Sequence, residues 1–203
     1  MTLTSAGQYL FEQAKEILAL TAKTKSNLQS TAIISGDYEF AKKKLNVGTV
    51  DFAVIIGNLP LSNYASLQLP EEDTWGVLMT KDDPLAKKDH ITAADLAGRN
   101  VLNSQQAETM HYFDSWFGNY KDQINIIGTY NLSFNGTLLV KNHAALSLTL
   151  DKLADVSDES NLTFRPIYPK MTESITVIWK HSTNLSAVAE LFLNRLQASI
   201  AED

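Results

Sequence analysis

The sequence predicts an α/β fold of two lobes behind a long opening helix. Three observations carry this expectation. Short apolar runs rich in Val, Ile and Leu alternate with helical patterns from residue 31 onward. A proline-free stretch dominated by Ala, Leu, Glu, Gln and Lys precedes them. Near the end, a strand pattern and an amphipathic helix return to the texture of the first lobe. Strand, helix and strand in alternation are the signature of parallel βαβ units, because a parallel pair needs a crossover that is usually helical.

The opening helix is read from Thr4 to about Leu28. Its residues are good helix formers. Leu10, Ala14, Ile17, Thr21, Thr24 and Leu28 recur at spacings of four and three, which places them on one narrow stripe. A narrow stripe suits pairing with another helix, although packing on its own domain stays open because Thr21 and Thr24 weaken the seam.

Thr31-Ala32-Ile33-Ile34 is β-prone, and Ser35-Gly36-Asp37 is turn chemistry that can also cap a helix from Tyr38 to Asn46. Gly48 stands where a helix takes a left-handed closing residue. Val50 to Ile56 reads as a strand buried on both faces, completing a parallel βαβ unit. Trp75 to Met79 is the next apolar run, and Asp82-Asp83-Pro84 reads as a crossing between lobes. Beyond it the pattern predicts a helix from Ala93 to Ala97, a strand from Asn100 to Asn103 and a helix from Ala107 to Phe117. A strand from Ile124 to Tyr130, a helix from Phe134 to Lys141 and a strand from Ala145 to Leu150 follow. Strands from Leu162 to Ile167 and from Ser174 to Trp179 precede a closing helix, Ser186 to Leu196, that buries Val188, Ala189, Phe192, Leu193 and Leu196.

Composition narrows the function. The 203 residues are 44% hydrophobic and 20% charged, an ordinary globular balance. There is no cysteine, which excludes disulfide scaffolds, thiol catalysis and Cys-ligated zinc. A formal charge of -6 opposes a general nucleic-acid or anionic-membrane surface. No secretory signal pattern opens the chain, and no apolar run approaches the roughly 18 residues of a membrane span, so a cytoplasmic address and no membrane partner are expected. The four histidines lack metal-ligand spacing and are read as surface or capping residues. GxSxG, P-loop and GxGxxG patterns are absent, so neither an enzyme nor a cofactor or metal is expected. Trp75, Trp116 and Trp179 are read as core packing and Lys42-Lys43-Lys44 as a solvated helix face.

These residues resemble the LysR-type bacterial transcriptional regulators. Leu3-Thr4-Ser5-Ala6-Gly7 with Leu10, Ala14 and Ile17-Leu18 resembles that family's junction between winged helix-turn-helix and linker helix. Ser35-Gly36-Asp37, Leu45, Gly48 and Asp51-Phe52-Ala53-Val54 resemble its first effector lobe. Trp75-Gly76-Val77-Leu78-Met79, Asp83-Pro84-Leu85-Ala86, Ile91 and Asp95-Leu96-Ala97 resemble the crossing, and Val177-Ile178-Trp179-Lys180 the return. The resemblance implies a periplasmic-binding-protein-like (type II) effector domain. It divides the chain into a linker helix over 1–30, with the end of a winged helix-turn-helix at 1–7, lobe one over 31–81 and 171–203, and lobe two over 82–170.

Three departures qualify it. The DNA-reading helix-turn-helix would precede Leu3, so these residues alone are not expected to recognise an operator. The family's first lobe also opens with a strand and a helix, which need roughly 20 residues at average lengths, yet only a few residues separate Leu28 from Ser35. That first strand and helix are expected to be missing, with Ser35-Gly36-Asp37 joining two segments. At Asn142-His143-Ala144-Ala145 the family usually carries Gly-x-Gly, and Asn142 is expected to take the left-handed conformation.

The most informative chemistry is Asn103-Ser104-Gln105-Gln106-Ala107-Glu108, where a strand ends and a helix begins. First-turn N–H groups with the Ser104 hydroxyl form an anion-binding geometry, although Ser104 acting only as a cap stays open. Gly57 and Asn58, and Asn131 and Ser133, follow other strands and are expected to face the same cleft. The expected function is effector sensing by a LysR-type regulator. It binds a small anionic metabolite between two lobes at Ser104, Gln105, Gln106, Gly57, Asn58, Asn131 and Ser133. Leu10, Ala14, Ile17, Thr21 and Leu28 build a homodimer or homotetramer, and DNA is reached only through the winged helix-turn-helix. The alternative is a free-standing solute-binding protein of the same fold.

Overall fold

The computed structural model describes residues 38–57, 60–181 and 185–202. The opening helix with Leu10, Ala14, Ile17, Thr21 and Leu28, the 31–34 strand and Asn58 lie outside the described residues. Within them the chain forms two compact units, one of residues 73–173 and the other of residues up to 72 and from 174 onward.

The second of these opens with helix α1, Tyr38–Asn46, at the expected bounds. Glu39 in its first turn and Lys43 and Lys44 in its last complement the helix dipole. Gly48 ends it at φ +71, where its N–H reaches the Leu45 carbonyl and that of Thr49 reaches Lys44. Leu45 packs with Ile55, Tyr64 and Ile178. Strand β1, Ala53–Ile56, is shorter than the expected run from Val50 and is not buried on both faces, since Val54 is 41% exposed. The reason is its pairing: β1 runs antiparallel to β7, Thr172–Lys180, with Ala53 opposite Ile178 and Ile56 opposite Ile175. Strand order here is β1, β7 and then the first part of β2, Tyr64–Thr80. Helix α5, Ala187–Glu202, outlasts its expected end at Leu196. It buries Ala189 and Leu196, with Val188, Phe192 and Leu193 half-buried. Leu69, Ile175, Val177 and Leu196 form the core beneath it.

The unit of residues 73–173 begins partway along β2, between Glu72 and Asp73, ahead of the Asp82-Asp83-Pro84 segment that sequence suggested as the crossing. Residues Trp75 to Thr80 are buried and belong to this unit because their ladder partners do. Gly76 to Thr80 pair with β6, Leu162–Pro166, and Trp75 to Leu78 with β5, Leu146–Leu150, both antiparallel. β5 then lies parallel to β3, Asn100–Ser104, and β3 parallel to β4, Asn125–Tyr130. The order is β6-β2-β5-β3-β4. Asp83 instead caps a 3-10 turn, Pro84–Lys87, by accepting from the Leu85 N–H.

The expected helix from Ala93 to Ala97 is a 3-10 turn, Ala93–Leu96. Asp95 braces its start: one carboxylate oxygen accepts from the Thr92 N–H and hydroxyl at 2.9 Å, and the other pairs with Lys88. Burial alone would raise the Asp95 pKa, but Lys88 and Thr92 outweigh it and hold the carboxyl below its ordinary 3.8. A lowered folded pKa means that this stabilisation is present above the ordinary carboxylate range and is lost as pH falls through the folded value. Asp95→Asn is therefore expected to cost about 1 kcal/mol at neutral pH, the net worth of a hydrogen bond or two. In urea titrations the gap from the parent should close as the pH is taken below 3.8.

The predicted helix from Ala107 to Phe117 is broken into α2, Gln105–Thr109, and α3, Asp114–Phe117. His111 at φ +53 makes the break, and the Tyr112 N–H closes back on the Ala107 carbonyl. Tertiary packing explains why the helical pattern yields. The turn swings Tyr112 and Phe113 onto Trp75, at ring separations of 5.6 and 4.9 Å. The Trp75 indole N–H donates to the buried Glu173 carboxylate at 3.0 Å. Burial and the same carboxylate push the Tyr112 phenol well above its ordinary 10.0. Trp75 is core, as read from sequence, whereas Trp116 and Trp179 are half-buried. After α4, Ser133–Lys141, the left-handed residue is His143 at φ +56 and not Asn142, which keeps φ -96 and donates its side-chain amide to the Leu138 carbonyl. The chain turns one residue later than the Gly-x-Gly pattern implied.

Candidate functional site

Parallel strands β5, β3 and β4 bring their carboxyl ends to one edge of the 73–173 unit, where an open α/β sheet places its ligands. Ser104 ends β3 and stands opposite Tyr130, the last residue of β4. The turns Ser104-Gln105-Gln106 and Asn131-Leu132-Ser133 therefore leave the sheet side by side. Gln105 and Asn131 are exposed, while Ser104, Gln106 and Ser133 are half-buried.

Asn103 sets the conformation of the first turn. Its side chain, 1% exposed, accepts from the Ser104 N–H at 2.9 Å and donates to Glu108 at 2.7 Å. The Ser104 hydroxyl accepts from the Ala107 N–H at 3.5 Å, a long contact that leaves the oxygen loosely engaged. Ser133 donates to the Leu153 carbonyl at 3.3 Å, which pulls the residues after β5 beside the second turn.

Those residues were missed from sequence. Asp151 and Thr74 exchange backbone and side-chain bonds, with Asp151 N–H to the Thr74 carbonyl at 2.8 Å and Thr74 N–H to Asp151 Oδ1 at 2.7 Å. The next position along each strand brings Lys152 Nζ to 3.6 Å from Asp73 Oδ1. The Asp73 side chain is fully buried and that of Lys152 is 37% exposed. The available signal was strand alternation: Asp73 lies two residues before buried Trp75, hence on the same face of β2. Asn103 carried a signal too, as a polar residue closing an apolar run.

Gly57, expected at the site, belongs to the other unit, where it holds φ +100 and donates its N–H to the Ser174 carbonyl at 2.9 Å. Among the described residues no group of three His, Asp or Glu side chains is placed to hold a metal ion. No helix among them is long and apolar enough to cross a membrane. Hydroxyls, amides and backbone N–H groups, with one lysine ammonium nearby, make this edge suited to holding a small polar molecule.

Comparison with curated proteins finds no match. Among solved structures, the Synechocystis PCC6803 CcmR regulatory domain in complex with 2-PG superposes with a TM-score of 0.74 at 15% identity, over 98% of this chain and 94% of that one. The effector binding domain of QuiR in complex with shikimate gives 0.71 at 19% identity, over 93% of this chain and 90% of that one. HinK, a LysR family transcriptional regulator from Pseudomonas aeruginosa, gives 0.69 at 16% identity, over 92% of this chain and 65% of that one. At such identities these likenesses speak for the fold. The sequence itself matches the family model for the LysR substrate binding domain over residues 30–201. The chain belongs to the LysR substrate binding domain family.

Proposed function

We propose that this chain is the effector-sensing and oligomerisation region of a LysR-type transcriptional regulator. It binds a small acidic metabolite and answers by a change in subunit arrangement, which a winged helix-turn-helix passes to DNA. Binding shifts such an arrangement only by its differential affinity for the two states. The observation that carries the reading is the family match over residues 30–201, joined to two polar turns standing on one strand-end edge. Two structural neighbours were solved with small ligands, 2-PG and shikimate, which supports a ligand of that size here.

In this reading Ser104, Gln105, Gln106, Asn131 and Ser133 contact the effector. Self-association into a dimer or tetramer runs through the helix bearing Leu10, Ala14, Ile17, Thr21 and Leu28. The protein works in the cytoplasm as a binding module, without catalysis, metal or cofactor.

A thermal-shift panel of central metabolites tests this. A ligand at 100 times its dissociation constant stabilises by about 2.7 kcal/mol. A panel in which no acid raises the unfolding midpoint would count against the proposal. For a hit, Ser104→Ala is expected to weaken binding about tenfold while lowering stability by no more than about 1 kcal/mol, because the cap it removes is long. Calorimetric titration of the variant reads the first quantity and urea unfolding the second.

A further inference from the structure

We infer that the Tyr112 phenol and the Glu173 carboxylate couple the effector turn Ser104-Gln105-Gln106 to the two strands by which the chain leaves the 73–173 unit, so that occupancy of the turn is felt at both. This coupling rests on the effector-sensing reading above and adds to it the regulation of that same site. Tyr112 and Glu173 act by positioning and need not touch the ligand.

The connection is continuous within one unit. At its start the Ser104 hydroxyl accepts from the Ala107 N–H at 3.5 Å. The Ala107 carbonyl in turn accepts from the Tyr112 N–H at 2.9 Å, so a single residue joins the effector turn to the break at His111. The Tyr112 phenol then donates to Glu173, which also takes the Trp75 indole N–H at 3.0 Å. Trp75 lies on β2 two residues after the unit begins at Asp73, and Glu173 lies on β7 as the unit's last residue. The two segments are tied again by the Trp75 N–H, which reaches the Met171 carbonyl at 2.9 Å.

The far end of this connection is stiff and the near end is loose. Glu173 is 8% exposed, and a buried carboxylate that loses a donor pays a desolvation cost larger than that of a neutral group. The Tyr112 ring packs against Trp75 at 5.6 Å and Phe113 at 5.2 Å, so the phenol cannot retreat without moving both. A ligand that seats on the turn and tightens the 3.5 Å contact therefore draws on Ala107, and through it on Tyr112 and Glu173. Close-packed interiors pass such a displacement on rather than absorb it.

Amide hydrogen exchange of the 203-residue chain, followed by NMR, tests the coupling without any ligand. Tyr112→Phe keeps the ring and removes only the phenol oxygen, so it should fold. Exchange at Ala107 and Met110 should accelerate about tenfold more than at Leu102 and Leu148 in the sheet, the worth of one hydrogen bond to a charged group. Glu173→Gln should act in the same direction, and the double variant should be no faster than the quicker single one, because both act through one bond. Coupling is reciprocal, so Ser104→Ala should move the Trp75 indole N–H resonance in the parent and leave it in place in Tyr112→Phe. Parent-like exchange at Ala107 in Tyr112→Phe, two single effects that simply multiply, or an indole resonance indifferent to Ser104→Ala would each overturn the coupling. A metabolite hit from the thermal-shift panel in that case leaves the effector-sensing reading standing, whereas coupled exchange beside an empty panel counts against that reading alone.

Discussion

Gly76→Ala should lower stability by about 3 kcal/mol or more, at the upper end of what overpacking a tight core costs. A Cβ built at this position overlaps the Phe164 ring and the backbone carbonyl oxygen of Arg165. The ring could swing away, but the carbonyl belongs to strand β6, where Arg165 stands opposite Val77 in the ladder. Relief therefore requires β6, the edge strand of its unit's sheet, to move away from β2 along their shared ladder. Thermal unfolding should show the midpoint falling by roughly 6–12 °C for a chain of this size. A shift under about 2 °C would mean that the two strands separate far more easily than this register allows.

Phe113→Ala is the second large effect. Phe113 is 1% exposed and meets Trp75 edge-on at 4.9 Å, Tyr112 at 5.2 Å and Phe117 at 5.8 Å. Truncating a core phenylalanine costs about 3–5 kcal/mol, part of it from the cavity left behind. The loss should also free the turn at His111, because ring packing is what compensates that residue's left-handed backbone. Urea unfolding gives the first quantity. Amide exchange over Met110 to Asp114 should accelerate by more than the global loss alone explains, and unchanged relative protection there would refute the link between ring packing and turn.

Sequence disclosed most where local chemistry agrees with the fold. α1 was read to both ends because the Ser35-Gly36-Asp37 turn chemistry before it and Gly48 after it each carry a local signal. The strand-to-helix turn at Ser104 was legible for the same reason. Where local signals lost, a distant residue won. Ala107 to Phe117 has helical periodicity, yet Trp75 draws Tyr112 and Phe113 inward and breaks it. Asp82-Asp83-Pro84 has the chemistry of a break and only caps a turn, whereas the change of unit at Asp73 falls inside one continuous strand that carries no breaker. Asp73 and Lys152 were invisible as a pair because only the antiparallel register of β2 and β5 joins them, and register between distant strands is set by whole-sheet packing. The helix bearing Leu10 and Leu28 lies outside the described residues.

A consequence for biogenesis follows from the way β1 finds its partner. Residues 53–56 hydrogen-bond to a strand more than a hundred positions downstream, and the helix that seals their unit follows that strand in the chain. A ribosome makes on the order of 5–20 residues per second, so the early segment waits several seconds, apolar side chains uncovered, while residues 73–173 already hold every strand of their own ladder. The centre of the chain thus matures ahead of its beginning, and any chaperone that attends the nascent polypeptide has its client in the stretch before Asp73.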